Sequence, residues 1–388
     1  MTRKGAMEAL TAHADAGIVG AFGEPASHVL DVLSWPEGDD LAPLYVRMKE
    51  VVADAVDQDR CTREHVRREV FPQLIGHCLV PSELIQEIHE GLLFNGHVEC
   101  CDGTRLSHDS LVVSVTQIGI SLVAYQGSHG KWVQRLYRRD LWHRMEDPAD
   151  EARELMRRRA RGRGGGDEEP PSRLLGRALM EYAERAALCR RSTADWRMGH
   201  GHPIPDSLLL PSTPELVAEG VRVMRELLLE HRRVLFVTSD PVNRLALHVG
   251  NALHPFEFAL IGTLEDQLTD AKLQRFSDAR YGHQEETRLV DTFARKVRSE
   301  VVYGVYRAGE HAPARLFYAH RDHAHEAAAI AIADSALQPL RGFPMLIDLA
   351  DLICRTSFDS ASFQGTVRDA YAAAGEPARY LGERETRS

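Results

Sequence analysis

Four carboxylates far apart in the sequence have the side chains best suited to chemistry. Asp102 follows a short apolar run at 98–101, and Glu181 lies in a helical pattern. Asp206 comes in a later proline-punctuated stretch, and Asp351 in the last strongly helical pattern. Carboxylate oxygens are the ligands that hard divalent cations such as Mg²⁺ and Mn²⁺ prefer. Two such ions about 3.5–4 Å apart activate water and stabilise the leaving oxygen in phosphodiester cleavage.

The elements around these acids predict that they converge. From residue 97, β-branched residues and turn-forming glycines indicate three consecutive antiparallel strands. A helix over 173–191, an amphipathic helix from Pro214, a short strand within 232–241 and a hairpin at 300–320 follow. This is the order of an RNase H-like α/β fold, a mixed sheet flanked by helices. We expect the acids to meet at one edge of that sheet.

The predicted domain organisation has an N-terminal helical region and one larger α/β domain. Residues 1–95 are assigned to the helical region, because apolar positions recur there at three- and four-residue spacing. Residues 96–370 form the α/β domain, and 371–388 a polar tail. Within the domain, 146–172 is predicted to be a flexible linker, since it combines an arginine-rich run, three glycines, an acidic run and two prolines.

Composition indicates a folded cytoplasmic protein. The 388 residues are 44% hydrophobic and 27% charged, with a formal net charge of -10. No run approaches the roughly 18 apolar residues of a membrane span, and no apolar block follows the basic N-terminus, so neither a membrane anchor nor a secretory signal is expected. The six cysteines include no C-x-x-C pair, which argues against a zinc site. The acidic charge allows only a local basic channel for nucleic acid.

Two of the four acids have rivals nearby. Glu184 follows Glu181 on the same helical pattern. Asp240 ends the strand pattern of 232–241 and competes with Asp206, because prolines precede Asp206 and proline is poorly tolerated in a central strand. His200 and His202 fall in a glycine- and proline-rich stretch, where we interpret them as loop side chains.

At these acids the sequence resembles the NurA nuclease family. The family's first motif, a strand ending in Asp-Gly-Ser, is matched by Asp102-Gly103-Thr104. Its helix with a metal-binding Glu is matched at Glu181, and its second Asp motif at Asp206-Ser207-Leu208-Leu209. Its C-terminal Tyr-Pro motif is matched by the segment that starts at Phe343-Pro344 and ends at Asp351. The resemblance covers residues 97 to about 365.

The resemblance implies a metal-dependent DNA nuclease. Asp102, Glu181 and Asp206 would be catalytic, and these three with Asp351 would hold Mn²⁺ or Mg²⁺ so that water is the nucleophile. It also implies a homodimer that works with a HerA-type hexameric ATPase, in DNA repair or in anti-phage defence. Four cations follow the first motif closely in the sequence and are candidates for phosphate contacts: Lys131, Arg135, Arg138 and Arg139.

Two departures from the family pattern favour an alternative function. The motif at Asp206 lacks the family's glycine, and Phe343 replaces a tyrosine and so removes a hydroxyl. The alternative is a catalytically impaired NurA-like subunit that binds DNA or has a structural role in an ATPase complex.

Overall fold

The computed structural model describes residues 25–35, 37–38, 41–109, 114–138, 149–150, 153, 156–157, 171–209, 213–239, 243–268 and 284–377. Internal contacts divide the chain into two units, Met1–Thr62 and Arg63–Ser388. Most of the predicted linker 146–172 and the last part of the predicted tail, 378–388, lie outside the described residues.

The described residues of the second unit build one sheet of nine strands. In chain order the strands are β1 Gly76–Leu79, β2 Val98–Asp109, β3 Ser114–Ala124, β4 Gly127–Arg138, β5 Trp196–His200, β6 Val234–Thr238, β7 Glu257–Thr263, β8 Val301–Arg307 and β9 Arg315–His320. Their spatial order is β1-β7-β8-β9-β6-β5-β2-β3-β4.

Helices lie before, between and after the strands in the sequence. They are α1 Ala26–Leu30, α2 Leu41–Glu69, α3 Ser82–Ile88, α4 Pro171–Arg190, α5 Asp206–Leu209, α6 Pro214–Arg225, α7 Arg244–Ala252, α8 Gln284–Glu300, α9 Ala324–Ala336, α10 Met345–Ser357 and α11 Ser360–Ala373. A π-helical turn, Glu226–His231, extends α6. Among the described helices, none has the length and apolar character that crossing a membrane requires.

The half of the sheet around β2 has RNase H-like topology. β3 pairs antiparallel with both β2 and β4, while β5 pairs parallel with both β2 and β6. The resulting strand order is β4-β3-β2-β5-β6. This arrangement confirms the predicted fold class of a mixed sheet flanked by helices.

β3 shows why the strands near 97–138 could be recognised in the sequence. Ile118, Ile120 and Leu122 alternate and join one apolar cluster, while Val123 points to a second cluster on the other face. Both faces of β3 are covered, because α4 and α10 each contact this strand. A strand with two buried faces carries the apolar residues expected of a sheet centre.

Small residues of β3 allow α10 to approach closely. A side chain at Gly119 would start 2.1 Å from the Phe358 ring, so only glycine fits there. The Ser121 hydroxyl donates to the Ala350 carbonyl at 2.7 Å, and the Cys354 thiol to the Gly119 carbonyl at 3.2 Å. These contacts fix the helix that carries Asp351.

The stretch before residue 95 is less uniformly helical than its apolar spacing indicates. Strand β1 lies within it and pairs antiparallel with β7, where Gly76 faces Leu260 and Leu79 faces Glu257. The strand has only four residues and a mostly exposed side-chain pattern. Its conformation is therefore set by the partner strand and not by a local hydrophobic pattern.

Candidate functional site

A large cavity opens beside the junction of β2 and β5 and is lined by five carboxylates. Its volume is about 1120 Å³, and the acids that line it are Asp102, Glu181, Glu184, Asp206 and Asp351. They belong to β2, α4, α5 and α10. The fold thus brings all four predicted acids and the rival Glu184 to one cavity, whereas Asp240 lies outside the described residues.

Asp102 occupies the position where two neighbouring strands separate. The parallel pairing of β2 with β5 ends at Cys101 and Gly199, one residue before it. The expectation that its strand ends there is wrong, because β2 continues to Asp109 in antiparallel pairing with β3. Asp102 is only 7% exposed, accepts a 2.9 Å hydrogen bond from the Gly103 amide, and lies 4.0 Å from Nδ1 of His200.

Glu184 is the acid that packs most closely behind Asp102. A side chain added at Gly103 would start 2.6 Å from Oε1 of Glu184, so that carboxylate lies directly against the Gly103 backbone. The added atom would also start 3.0 Å from Ile120 and from Met180. The glycine after Asp102 therefore makes room for a second carboxylate; it does not form a turn.

The buried guanidinium of Arg185 is the cation nearest this carboxylate. Its Nη1 lies 3.4 Å from Oε2 of Glu184 and donates to the Glu181 carbonyl at 2.8 Å. Its other nitrogens donate to the carbonyls of Pro203 at 3.2 Å and His202 at 2.6 Å. Arg185 thus ties α4 to the loop between β5 and α5, and only one of its contacts is with a carboxylate.

Glu181 and Asp206 lie at the more open side of the cavity. Glu181 accepts a hydrogen bond from the Ser207 hydroxyl. Asp206 is exposed at the first residue of the short helix α5. The sequence left open which of Glu181 and Glu184 belongs to the site. Both line the cavity, because residues three apart share one face of a helix.

Helix α10 contributes Asp351, which forms a 2.5 Å ion pair with Arg355 one turn later. The helix begins at Met345, and the buried carboxylate of Asp334 accepts a 3.0 Å hydrogen bond from the Leu346 amide. The Tyr125 hydroxyl also donates to Asp334. The contact of Tyr125 with Asp334 gave no signal in the sequence, because the two residues are 209 positions apart.

Burial and neighbouring carboxylates raise the pKa of the inner acids. Burial, together with the charges of Asp351 and Asp348, raises the pKa of Asp102. Burial and the charge of Asp102 raise the pKa of Glu184, and Arg185 offsets only part of this. Burial also raises the pKa of Glu181 and lowers that of His200. The cluster therefore concentrates negative charge that the surrounding side chains do not fully compensate.

Three arginines line the cavity with these acids, and none is among the cations expected from the sequence. They are Arg177, Arg185 and Arg341. Arg341 pairs with Asp348 at 2.8 Å and lies over the Phe343 ring. Of the four expected cations, Lys131 and Arg135 are not among the described residues that line the cavity. The side chain of Arg138 and the whole of Arg139 lie outside the part of the chain that the structure describes.

The donor chemistry of the cavity fits a hard divalent cation. Carboxylate oxygens dominate, and His200 and His202, which we interpreted as loop residues, also line it. Such a set suits Mg²⁺ or Mn²⁺ better than a soft metal. Within the part of the chain that the structure describes, no three His, Cys, Asp or Glu side chains are already arranged to hold an ion.

Replacing Gly103 by alanine is expected to destabilise the fold by about 1–3 kcal/mol, the usual cost of overpacking a buried site. The new methyl group would displace Glu184, Ile120 and Met180. Urea unfolding measures the change. The matched control is Gly365→Ala on α11, where the added atom meets nothing within 4 Å and stability should be unchanged or higher. Equal stabilities of the two variants would contradict this account of Gly103.

Comparison with known proteins finds similarity in structure only. No protein-family profile and no curated protein matches the chain. The NurA nuclease from Sulfolobus solfataricus is similar at 10% identity and a TM-score of 0.45, over 88% of this chain and 99% of that one. A structure of NurA with manganese is similar at 7% identity and a TM-score of 0.38, over 75% and 95%. A structure of NurA bound to dAMP and manganese is similar at 8% identity and a TM-score of 0.41, over 81% and 94%. With every identity at 10% or below, membership in this family stays a prediction.

Proposed function

We propose that the chain is a divalent-metal-dependent nuclease that hydrolyses phosphodiester bonds in DNA. The observation that carries the proposal is the meeting of five acids from four elements in one cavity beside arginines. A buried cluster of like charges is costly unless cations neutralise it. A substrate with negative phosphates also requires positive charge beside the acids, which bound cations and the arginines would supply.

Asp102 and Glu184 form the inner pair of this site, and Glu181, Asp206 and Asp351 surround it. The inner pair would hold the metal ions, because it is the most buried and has no full complement of cations. The three surrounding acids would complete the ligand set. When bound, the ions would activate a water molecule and stabilise the leaving oxygen.

Three basic side chains that line the cavity have different roles in this proposal. Arg185 positions Glu184 and the loop at His202, as its three hydrogen bonds to carbonyls and its ion pair indicate. Arg341, 58% exposed at its side chain and held by Asp348, is placed to bind a phosphate that enters the cavity. His200 lies near Asp102 and hydrogen-bonds to Ser239 at 2.9 Å, so it links the end of β5 to the residue after β6 beside the acids.

The second candidate is a catalytically impaired subunit that binds DNA without cutting it. Two observations favour it: Arg185 already contacts Glu184, and no three described donors are arranged to hold an ion. In this case the cavity would bind phosphates through its arginines, and the raised pKa of Asp102 and of Glu184 would keep these two acids partly protonated.

The test combines cleavage and melting of the full-length protein. We expect cleavage of single- or double-stranded DNA with Mn²⁺ and none with EDTA. We also expect the melting temperature to rise with millimolar Mn²⁺, because an ion that binds only the folded state stabilises it. Melting that rises without cleavage would favour the impaired subunit. The absence of both effects would contradict a metal site.

The partners implied by the resemblance are part of the proposal. We propose that the chain forms a homodimer and acts with a HerA-type hexameric ATPase, in DNA end processing or anti-phage defence. Size-exclusion chromatography with light scattering tests the dimer, and co-purification with a HerA-type ATPase tests the complex. A monomer at micromolar concentration would contradict the first of these assignments.

A further inference from the structure

The cavity continues past the carboxylates into a region that we call the neutral end, defined by His202, Thr238, Gln267 and Tyr318. These four side chains belong to the described lining of the same cavity as Asp102. Thr238 and Tyr318 lie on the same face of the sheet, because Thr238 pairs with Leu316 and Tyr318 with Phe236. The neutral end therefore has a rigid floor of paired strands.

An amide is held at the centre of the neutral end by two aromatic residues. The His202 ring lies 3.1 Å from Oε1 of Gln267, and the Tyr318 hydroxyl lies 3.2 Å from the same atom. Both contacts therefore use one end of the Gln267 amide. The other end has no partner among the described residues, although Gln267 lines the cavity.

Aromatic walls and a second polar group complete the neutral end. The rings of His202 and Tyr318 are 4.7 Å apart at an interplanar angle of 64°. The Thr238 hydroxyl is shielded from solvent and has no hydrogen-bond partner in the described part of the chain. Burial raises the pKa of Tyr318 to about 12, so its hydroxyl stays neutral. Such a region suits a flat, uncharged, hydrogen-bonding ring.

Arg185 connects the neutral end to the acidic cluster. One guanidinium contacts both Oε2 of Glu184 and the carbonyl of His202. The backbone of His202 and the carboxylate of Glu184 therefore lie on either side of this one group. A nucleotide has the same arrangement, since one sugar joins its ring system to its phosphate.

We propose that the neutral end is a nucleobase subsite, which binds the base of the nucleotide whose phosphate enters the acidic cluster. Proteins read an unpaired base by stacking and by hydrogen bonds to its edge. The available end of the Gln267 amide and the Thr238 hydroxyl would bind that edge, and His202 or Tyr318 would pack on its face. This rests on the proposed function and narrows it: the substrate must present an unpaired base, as single-stranded or frayed DNA does.

The test measures binding of a base without metal and without phosphate. The probe is 2-aminopurine 2′-deoxyriboside, whose fluorescence falls when the base stacks, with the full-length protein in EDTA. We expect saturable quenching that free 2-deoxyribose does not reverse. Gln267→Leu should weaken binding and raise the dissociation constant about tenfold, which is the effect of losing one buried hydrogen bond. Tyr318→Phe should weaken it less, about threefold, because it removes only the hydroxyl that holds the amide.

Gln86→Leu is the matched control, since Gln86 is an exposed residue of α3 that bonds Glu90 and lies outside the described lining of the cavity. Its binding should equal that of the wild type. No quenching at millimolar protein, or equal affinity in the wild type, Gln267→Leu and Tyr318→Phe, would overturn the subsite. If the wild type shows quenching that Gln267→Leu loses, but the wild type cuts no DNA, the subsite is supported and the nuclease is refuted. Cleavage with no quenching would refute the subsite alone.

Discussion

Replacing Asp102 by asparagine is expected to reduce metal-dependent DNA cleavage by about 10³-fold or more. Loss of a carboxylate that holds a catalytic metal removes several kcal/mol of transition-state stabilisation, and each 1.36 kcal/mol is tenfold in rate. The substitution preserves shape, and the amide oxygen can still accept the Gly103 hydrogen bond. Single-turnover cleavage of DNA with Mn²⁺ measures the effect.

Asp195→Asn is the control for this substitution. Asp195 directly precedes β5, at the end of that strand opposite His200, and its side chain is 54% exposed beside His97. Its replacement should leave the cleavage rate within about threefold of the wild type. A cleavage rate for Asp102→Asn within tenfold of the wild type would refute the proposed active site.

The second prediction concerns stability against pH without metal. The pKa of Asp102 is raised to about 7 and that of Glu184 to about 8, chiefly by burial. An acid with a raised pKa in the folded protein binds more protons there than in the unfolded chain. Its stabilising contribution is complete below the unfolded pKa of about 4 and is lost as pH rises through the folded value. Between pH 6 and 8 the two acids should together remove about 4 kcal/mol from the free energy of unfolding.

Chemical denaturation in EDTA at several pH values tests this loss. The double variant Asp102→Asn, Glu184→Gln should lose markedly less stability between pH 6 and 8 than the wild type, because neither amide titrates. Asp195→Asn should follow the wild type. Saturating Mn²⁺ should also reduce the wild-type loss, since the ion favours the ionised acids. If the free energy of unfolding falls equally with pH in the wild type and the double variant, Asp102 and Glu184 are not the origin of the loss.

Local patterns in the sequence predict much of the fold around Asp102. The alternation of Ile118, Ile120 and Leu122 indicates β3, and β3 has that burial in the structure. The acids at 102, 181, 206 and 351 can be chosen because each sits in or beside a recognisable element, and the order of those elements is RNase H-like. Patterns of this kind depend on neighbours within about ten residues.

Features that depend on distant partners could not be predicted. Which of Glu181 and Glu184 lies deeper depends on how α4 rotates against β2, which the spacing of the two acids does not specify. The role of Arg185 depends on the carbonyls of His202 and Pro203, and backbone oxygens leave no mark on residue types. The packing of Gly103 against Glu184 has no local signal either, because Glu184 is 81 positions further along the chain.

The pairing of β1 with β7 has a consequence for any shortened form of the protein. Glu257 of β7 is 4% exposed, and Arg67 holds it at 2.6 Å from a position well before residue 96. A fragment starting at residue 96 would lack both this arginine and β1. The charge of Glu257 would then be buried without its arginine. The edge of β7 would expose unpaired backbone amides and carbonyls that can pair with other chains. Such a fragment should precipitate, whereas one that begins before Arg63 should remain dispersed.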